Sequence, residues 1–332
     1  SGTGAIVLTG TGGASAAGGQ QVGVYLNGDT YLGSANSLGT VLMSGSGGIT
    51  ATGVGAAVGS AGGNIGVRIA RASLMSAGPI SITGTGGAGT GSDSIEISGG
   101  SVTSFGASTS IVLTGNVSVG TGSGILLRDS FDAGSTTATV GGGSFLGDLT
   151  LAANSMSTTA STLNLSRQSG GGTITFKGAS DATTIGVNGG AGTLSVGGGV
   201  LASISGYTDL KFGSATQTGN IQIDSTTFSQ NVTVQTQGTA YSNALALGAN
   251  SLTIIADGGY TQGVGSITTT GTVTFSGPGD VLANGVSNAI GTLVVSKTGT
   301  AANVTFVDSG ALVLGASTMG TGTLSVTGVG LS

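Results

Sequence analysis

The stretch Ile80-Ser-Ile-Thr-Gly-Thr-Gly-Gly87 alternates apolar and small polar residues and closes in glycine. Such alternation with a period of two predicts a half-buried β-strand. Similar phrases begin 35, 39 and 31 residues apart, and recurrence at this spacing indicates a repeat architecture. The other copies are Ile6-Val-Leu-Thr-Gly-Thr-Gly-Gly13, Val41-Leu-Met-Ser-Gly-Ser-Gly-Gly48 and Ile111-Val-Leu-Thr-Gly-Asn116.

Two further apolar pieces follow each copy of this phrase. The second piece is Gly23-Val-Tyr-Leu26, Gly66-Val-Arg-Ile69, Ser94-Ile-Glu-Ile97 and Gly124-Ile-Leu-Leu127. The third is shorter and comprises Tyr31-Leu32, Leu74-Met75, Val102 and Phe131. Three short strands per 30–40 residues, closed by glycine-rich turns, predict an all-β chain folded as a parallel β-helix (β-solenoid), an elongated rod with about three strands per coil.

The repeat changes along the chain. We expect residues 1–140 to form coils with 30–40-residue units and residues 141–332 to continue the solenoid with longer repeats of about 67 residues, each of two or more coils. The longer repeat is read from Ala244-Leu-Ala-Leu-Gly248 and Ala311-Leu-Val-Leu-Gly315, followed by Leu252-Thr-Ile254 and Leu324-Ser-Val326 respectively. The glycine-free run at 148–169 has its leucines at period two, which favours strand over helix.

The composition fits this architecture. The 332 residues include 70 Gly and only 6% charged residues. Glycine supplies corners, apolar β-branched residues fill inward positions, and few charges are stacked because like charges in adjacent coils would repel. Alternation predicts inward side chains at Ile82, Ile97, Leu113, Leu126 and Val326.

The composition also limits the catalytic and ligand-binding chemistry that the chain can perform. The chain has no Cys, no His and a net charge of −5, so thiol, imidazole and zinc-finger chemistry are excluded and a nucleic-acid partner is not expected. No apolar run is long enough for a transmembrane helix. Without His an ordinary serine triad cannot operate, and the twelve acidic residues show little clustering. We therefore expect no enzyme, and no catalytic, cofactor-binding or metal-binding residue.

Three weaker motifs have simpler readings. The stretch Gly86–Asp93 is similar to a Gly-Gly-x-Gly-x-Asp calcium nonapeptide, but its Asp comes two positions late and the motif does not recur in tandem. Asp129 and Asp132 could share a surface cation, although solvated carboxylates are the expected state. The Thr-x-Thr pairs Thr173/Thr175 and Thr272/Thr274 are read as ordinary outward strand positions.

Several longer stretches resemble repeats of very large bacterial filamentous-haemagglutinin-like surface proteins. They are Asp181-Ala-Thr-Thr-Ile-Gly-Val-Asn-Gly-Gly-Ala-Gly-Thr-Leu-Ser195, Leu201–Ser214, Thr218–Ile223 and Gly291–Gly315. The resemblance covers residues 140–332 by phrase and residues 1–140 only in style. It implies a right-handed parallel β-helix, secretion by a Gram-negative bacterium, often through an outer-membrane partner, and a role in adhesion or aggregation. The family's N-terminal secretion domain is not visible in the sequence.

Repeats and resemblance together predict an extracellular structural and adhesive rod at a bacterial surface. Its expected partners are further coils of its own chain, copies of itself, and glycans or proteins of host or neighbouring cells. A self-assembling filament, sheath or S-layer component is the alternative, and a polysaccharide-acting solenoid enzyme is the third reading. Because both ends read as running coils, we also expect a segment of a larger chain that stacks end to end when isolated.

Overall fold

A computed structural model describes residues 3–13, 21–28, 39–58, 62–106, 109–117, 120–129, 137–168, 170–297 and 301–332. The chain divides into two compact units. Unit 1 comprises Ser1–Thr175 and Gly199–Tyr207, and unit 2 comprises Phe176–Gly198 and Thr208–Ser332. Regular structure in the described ranges is almost entirely parallel strand, which confirms the predicted all-β fold of stacked solenoid strands.

The first fifteen strands all lie in unit 1. They are β1 (Ile6–Thr11), β2 (Val24–Asn27), β3 (Gly39–Ser44), β4 (Ile49–Val54), β5 (Val67–Ala70), β6 (Ala72–Ser76), β7 (Ile80–Gly86), β8 (Ile95–Ser98), β9 (Ser101–Ser104), β10 (Ser110–Val117), β11 (Ile125–Arg128), β12 (Thr137–Gly141), β13 (Asp148–Ala153), β14 (Met156–Thr158) and β15 (Thr162–Ser166).

The remaining elements begin with a strand that contains the boundary between the units. They are β16 (Thr173–Lys177), β17 (Ile185–Val187), β18 (Leu194–Val196), α1 (Gly198–Ala202), β19 (Ile204–Ser205), β20 (Asp209–Gly213), β21 (Ile221–Ile223), β22 (Thr226–Thr227), β23 (Asn231–Thr236), β24 (Ala240–Ser242), β25 (Leu245–Gly248), β26 (Leu252–Ala256), β27 (Tyr260–Gln262), β28 (Ile267–Ser276), β29 (Val281–Ala283), β30 (Ala289–Ser296), β31 (Val304–Val307), β32 (Val313–Leu314) and β33 (Leu324–Thr327).

In unit 1 every third strand belongs to the same parallel sheet. Sheet A contains β1, β4, β7, β10 and β13; sheet B contains β2, β5, β8, β11 and β14; sheet C contains β3, β6, β9, β12, β15 and β19. The second sequence phrase forms sheet B, and its first apolar residues are in register, from Val24 through Val67 and Ile95 to Ile125. The prediction of three strands per coil is therefore confirmed in unit 1.

For one copy of the first phrase, the predicted place in the coil is wrong. The Val41 phrase contains β3, which pairs with β6 in sheet C. The strand in register with Ile6 and Ile80 starts at Ile49 instead. The true coil lengths are thus 43 residues from Ile6 to Ile49, then 31 to Ile80 and 31 to Ile111. The third-piece residues Tyr31, Leu32 and Phe131 lie outside the described residues.

The predicted inward direction is correct at four of the five positions. Ile82, Ile97 and Leu113 are 0% exposed. Leu126 is wrong: it is half-buried and in register with Glu96 on the outer side of sheet B, whereas its neighbours Ile125 and Leu127 are buried. Val326 points inward as predicted, since it is in register with the fully buried Phe306, although it is itself only half-buried in β33.

An inward glycine in four of the five sheet A strands of unit 1 lies against the next strand along the coil, whereas β13 has Ala153 at the same register position. A Cβ at Gly10, Gly53, Gly84 or Gly115 would lie 1.9–2.0 Å from a backbone carbonyl oxygen at the start of sheet B. These glycines have no positive φ in the structure. Their role is close approach of two backbones, and it accounts for the recurring Thr-Gly of the first phrase.

Unit 2 has shorter coils. Leu210, Val232, Leu252, Val273 and Leu293 occupy one buried column at intervals of 20 to 22 residues. A second parallel sheet runs through β21, β24, β27, β29, β31 and β33. Aromatic rings pack inside this unit: Phe212 is stacked on Phe176 with 6.0 Å between ring centres, and Phe275 is tilted against Tyr260 with 5.3 Å between ring centres.

The 67-residue phrase spacing covers about three of these coils. Leu252 lies in β26, which pairs with β23 and β28, whereas Leu324 lies in β33, which pairs with β31. The two are thus on different sheets despite their matching phrases. The stretch at 148–169 forms β13, β14 and β15 in its described part, which confirms strand there.

Candidate functional site

The most unusual chemistry lies on the outer side of sheet B in unit 1. Because Val67, Ile69, Ile95 and Ile97 point inward, Arg68 and Glu96 must project outward. Strands β2, β5 and β8 place Tyr25, Arg68 and Glu96 in one register column. We call these three residues, with Arg128 and Asp93, the charge cluster.

One carboxylate in the cluster bridges two guanidinium groups. Glu96 Oε1 lies 3.2 Å from Arg68 Nε and 3.1 Å from Arg128 Nε. The Arg68 guanidinium carbon is 5.4 Å from the centre of the Tyr25 ring, a cation–π distance. The cluster therefore ties together residues of β2, β5, β8 and β11, which belong to four successive coils.

Burial dominates the ionisation of both carboxyl groups. Burial raises the pKa of Glu96, and Arg68 and Arg128 oppose that rise. Burial also raises the pKa of Asp93, opposed by the Ser123 N–H, which donates to Asp93 Oδ1 at 2.6 Å, and by Arg128. Two carboxyl groups with raised pKa values beside an arginine are a pattern found in acid–base active sites.

The carboxyl groups of the charge cluster are too buried for acid–base catalysis on a substrate. Glu96 is 2% exposed and Asp93 is 6% exposed, so neither carboxyl group presents an oxygen to a polysaccharide chain. Structural ion-pair networks shift pKa values in the same way. The arrangement fits a buried ion network that holds coils in register.

Sequence reasoning missed this cluster although the sequence contains part of it. The phrases Gly66-Val-Arg-Ile69 and Ser94-Ile-Glu-Ile97 align, so Arg68 and Glu96 fall at the same outward position one coil apart. Opposite charges directly adjacent on one sheet face attract. Arg128 could not be found this way, because its register partner is Ser98 and its side chain reaches Glu96 diagonally, on the neighbouring strand and two residues before Ser98.

The acidic residues considered as cation ligands bind backbone instead. Asp93 Oδ1 accepts the Ser123 N–H, and Asp129 accepts both the N–H of Ser161 at 2.8 Å and its hydroxyl at 2.6 Å. Asp132 lies outside the described residues. Within the described ranges, no three acidic side chains are grouped so that they could hold a metal ion.

These contacts belong to a recurring device, which we call the coil clamp: an Asp or Asn oxygen accepts a backbone N–H of the following coil. Both units contain it. The pairs are Asp93–Ser123, Asp129–Ser161, Asp148–Thr173, Asn220–Thr239, Asn231–Ser251, Asn243–Val264, Asp280–Asn303 and Asn303–Thr323. Because these side chains satisfy the backbone at corners, where strand pairing lapses, they join one coil to the next.

Unit 2 contains a shallow depression of about 270 Å³ on the outer side of its second sheet. Its polar lining includes Asp280 and Asn303, which are both coil clamps, and Thr261 and Thr305. Near it, Lys297 is 2% exposed and donates from Nζ to the Gly279 carbonyl at 2.8 Å. Burial lowers the pKa of Lys297, whereas Asp280 and Asp257 raise it.

The Thr-x-Thr pairs are ordinary outward positions, as expected. Thr173 and Thr175 are half-buried in β16, and Thr272 and Thr274 are half-buried in β28 beside the buried Val273. The largest set of in-register threonines lies on β1, β4, β7 and β10 of unit 1.

Comparison with known proteins identifies no relative. No family model matches the chain, and no curated protein or solved structure matches it significantly. In the described residues, no helix has the length and apolarity needed to cross a membrane.

Proposed function

We propose that this chain is a structural and adhesive rod segment of a large bacterial surface or secreted protein. The observation that carries the proposal is the coil clamp, repeated in both units on top of continuous parallel ladders. A stack whose coils are joined by backbone hydrogen bonds and side-chain clamps can bridge the distance between two surfaces. It also leaves little unpaired backbone for a protease to cleave.

The distribution of charge supports the same role. The most prominent ionisable groups, Glu96, Asp93 and Lys297, are buried in contacts within the protein. On sheet A of unit 1 the outward strand positions carry mainly Ser, Thr and Val. Such a surface suits broad, repetitive contact with other surfaces better than turnover of a small substrate.

The test is made on cells that produce the protein. Antibodies against the segment should label intact cells, and in-frame deletion of all 332 residues should abolish cell aggregation and attachment. A matched control removes residues 49–79, one 31-residue coil, so that Ile80 takes the register position of Ile49 and the Glu96–Arg128 pair is kept. This control should retain labelling and aggregation. Label confined to the cell interior, or unchanged aggregation after the full deletion, would overturn the proposal.

A further inference from the structure

The outer side of sheet A in unit 1 is a two-dimensional array of hydroxyl and methyl groups. We call it the threonine face. Eight of its fourteen outward residues are threonine. Its three register columns are Val7, Thr50, Ser81, Val112 and Thr150; Thr9, Thr52, Thr83, Thr114 and Ala152; and Thr11, Val54, Thr85 and Asn116.

The spacing of this array is fixed by the backbone. Neighbouring strands lie about 4.8 Å apart, and alternate residues of one strand lie about 6.7 Å apart. The central column holds four threonines in register, Thr9 through Thr114. Threonine is stiff at χ1, so each strand presents its hydroxyl and methyl group with little conformational freedom. The face is therefore an ordered rectangular lattice before anything binds it.

The face carries no charge and is open to solvent over β1 to β10, whereas Ala152 in β13 is 2% exposed. Val7 is 67% exposed and Val54 is 38% exposed, while Thr52, Thr83 and Thr114 are half-buried by their neighbours in the array. None of the fourteen positions holds a charged or aromatic residue. The face therefore offers hydroxyl and methyl groups to a partner, but no ion-pairing or ring-stacking group.

Four classes of partner fit poorly. Phosphates and nucleic acids need cations, which the face lacks. Sugar rings are usually held by stacking on aromatic side chains, which are also absent. A membrane surface needs a continuous apolar area or basic residues. A second copy would cover only about 450 Å² per molecule by strand spacing and length, well under the roughly 800 Å² per partner of a stable complex.

We propose that the threonine face binds ice. The edges of the array are close to the rectangular repeat of oxygen atoms on the prism faces of ice, in both directions. Threonine hydroxyls can continue the water lattice, and the methyl groups order the water between them. Because the face is rigid in advance, binding costs little side-chain entropy. This activity is independent of the adhesive role and does not require it.

The test measures thermal hysteresis, ice-crystal shape and ice recrystallisation with the purified 332-residue chain. The wild type should shape ice crystals and inhibit recrystallisation. Thr83→Tyr, which places a ring at the centre of the array, should reduce both activities at least tenfold. Thr83→Ser keeps the hydroxyl and removes the methyl group, so it should reduce them two- to threefold with no risk of a steric clash.

The matched control is Thr139→Tyr, an outward half-buried position of β12 on sheet C of unit 1, whose register partners are Ser101 and Asn164, and it should retain full activity. Absence of ice shaping by the wild type would overturn the proposal. So would equal loss in Thr83→Tyr and Thr139→Tyr, or no loss in either Thr83 variant. A dimer seen by sedimentation and abolished by Thr83→Tyr would also overturn it, since the face would then be an interface between copies.

Discussion

Replacing Gly84 with alanine tests the backbone approach that shapes each coil of unit 1. The new Cβ would lie 1.9 Å from the Ser94 carbonyl oxygen and 2.5 Å from its carbonyl carbon. Ser94 cannot swing away freely, because its carbonyl accepts the Val67 N–H at 2.9 Å and its own N–H donates to Ser123 at 2.9 Å. Overpacking typically costs 1–3 kcal/mol, and weakening one ladder hydrogen bond costs about 1 kcal/mol more. We expect a loss of about 3 kcal/mol.

Hydrogen exchange followed by mass spectrometry measures this effect locally, which matters because a long repeat array need not unfold in one step. A loss of about 3 kcal/mol corresponds to roughly a 10²-fold loss of protection in β7 and β8. The control is Gly4→Ala in the same unit, where a Cβ meets nothing within 4 Å. Equal protection in the Gly84 and Gly4 variants would refute the argument that inward glycines are required by close approach.

Three further substitutions or conditions test the core, the cluster and the clamp. Ile97→Asp should destabilise its coil by about 3–5 kcal/mol because it buries an unpaired charge, whereas Ile97→Val should cost about 1 kcal/mol. Resistance to proteolysis measures the difference. Wild-type resistance in the Asp variant would show that Ile97 does not point inward. The raised pKa values of Glu96 and Asp93 give unit 1 a contribution to stability that is complete below about pH 4 and is lost as pH rises through the raised values. The urea midpoint of unfolding should therefore fall over that pH window, and Glu96→Gln should make the fall less steep. An unchanged dependence of the midpoint on pH in Glu96→Gln would contradict the assignment. Asp280→Ala should destabilise its coil by about 1 kcal/mol, because it leaves the Asn303 N–H without its acceptor. Asp280→Asn keeps an acceptor oxygen and should match wild type in hydrogen exchange at β31. Equal exchange in both variants would show that the coil clamp does not stabilise the stack.

The sequence predicted strand type and inward phase wherever alternation was strict. Ile95-Glu-Ile97 alternates apolar and charged residues, and its phase is correct. Leu126 failed because Gly124-Ile-Leu-Leu127 is apolar throughout, so alternation cannot say which leucine faces inward. Its phase is set by the neighbouring coil, where Glu96 already occupies the outward column.

Register between coils was predictable only where the turns kept a constant length. Val41 begins a phrase with the same apolar, hydroxyl and glycine pattern as the Ile80 phrase, and β3 ends at Ser44, only five residues before Ile49 starts β4. Local pattern therefore cannot distinguish the last strand of one coil from the first strand of the next. In unit 2 the same difficulty hid the 20–22-residue coil, because the phrases most alike in sequence lie on different sheets.

The coil clamp explains how a chain with so few charges joins its coils. In one column of unit 2, Asp209, Asn231 and Ser251 stand in successive coils. The Asn231 amide donates to Asp209 Oδ1 at 3.1 Å, and its oxygen accepts the Ser251 N–H at 3.0 Å. An aspartate at all three positions would stack like charges about 4.8 Å apart and supply no donor between them. Alternating a carboxylate with an amide and a hydroxyl gives each oxygen a donor, so the scarcity of charge in the sequence and the cohesion of the stack have the same cause.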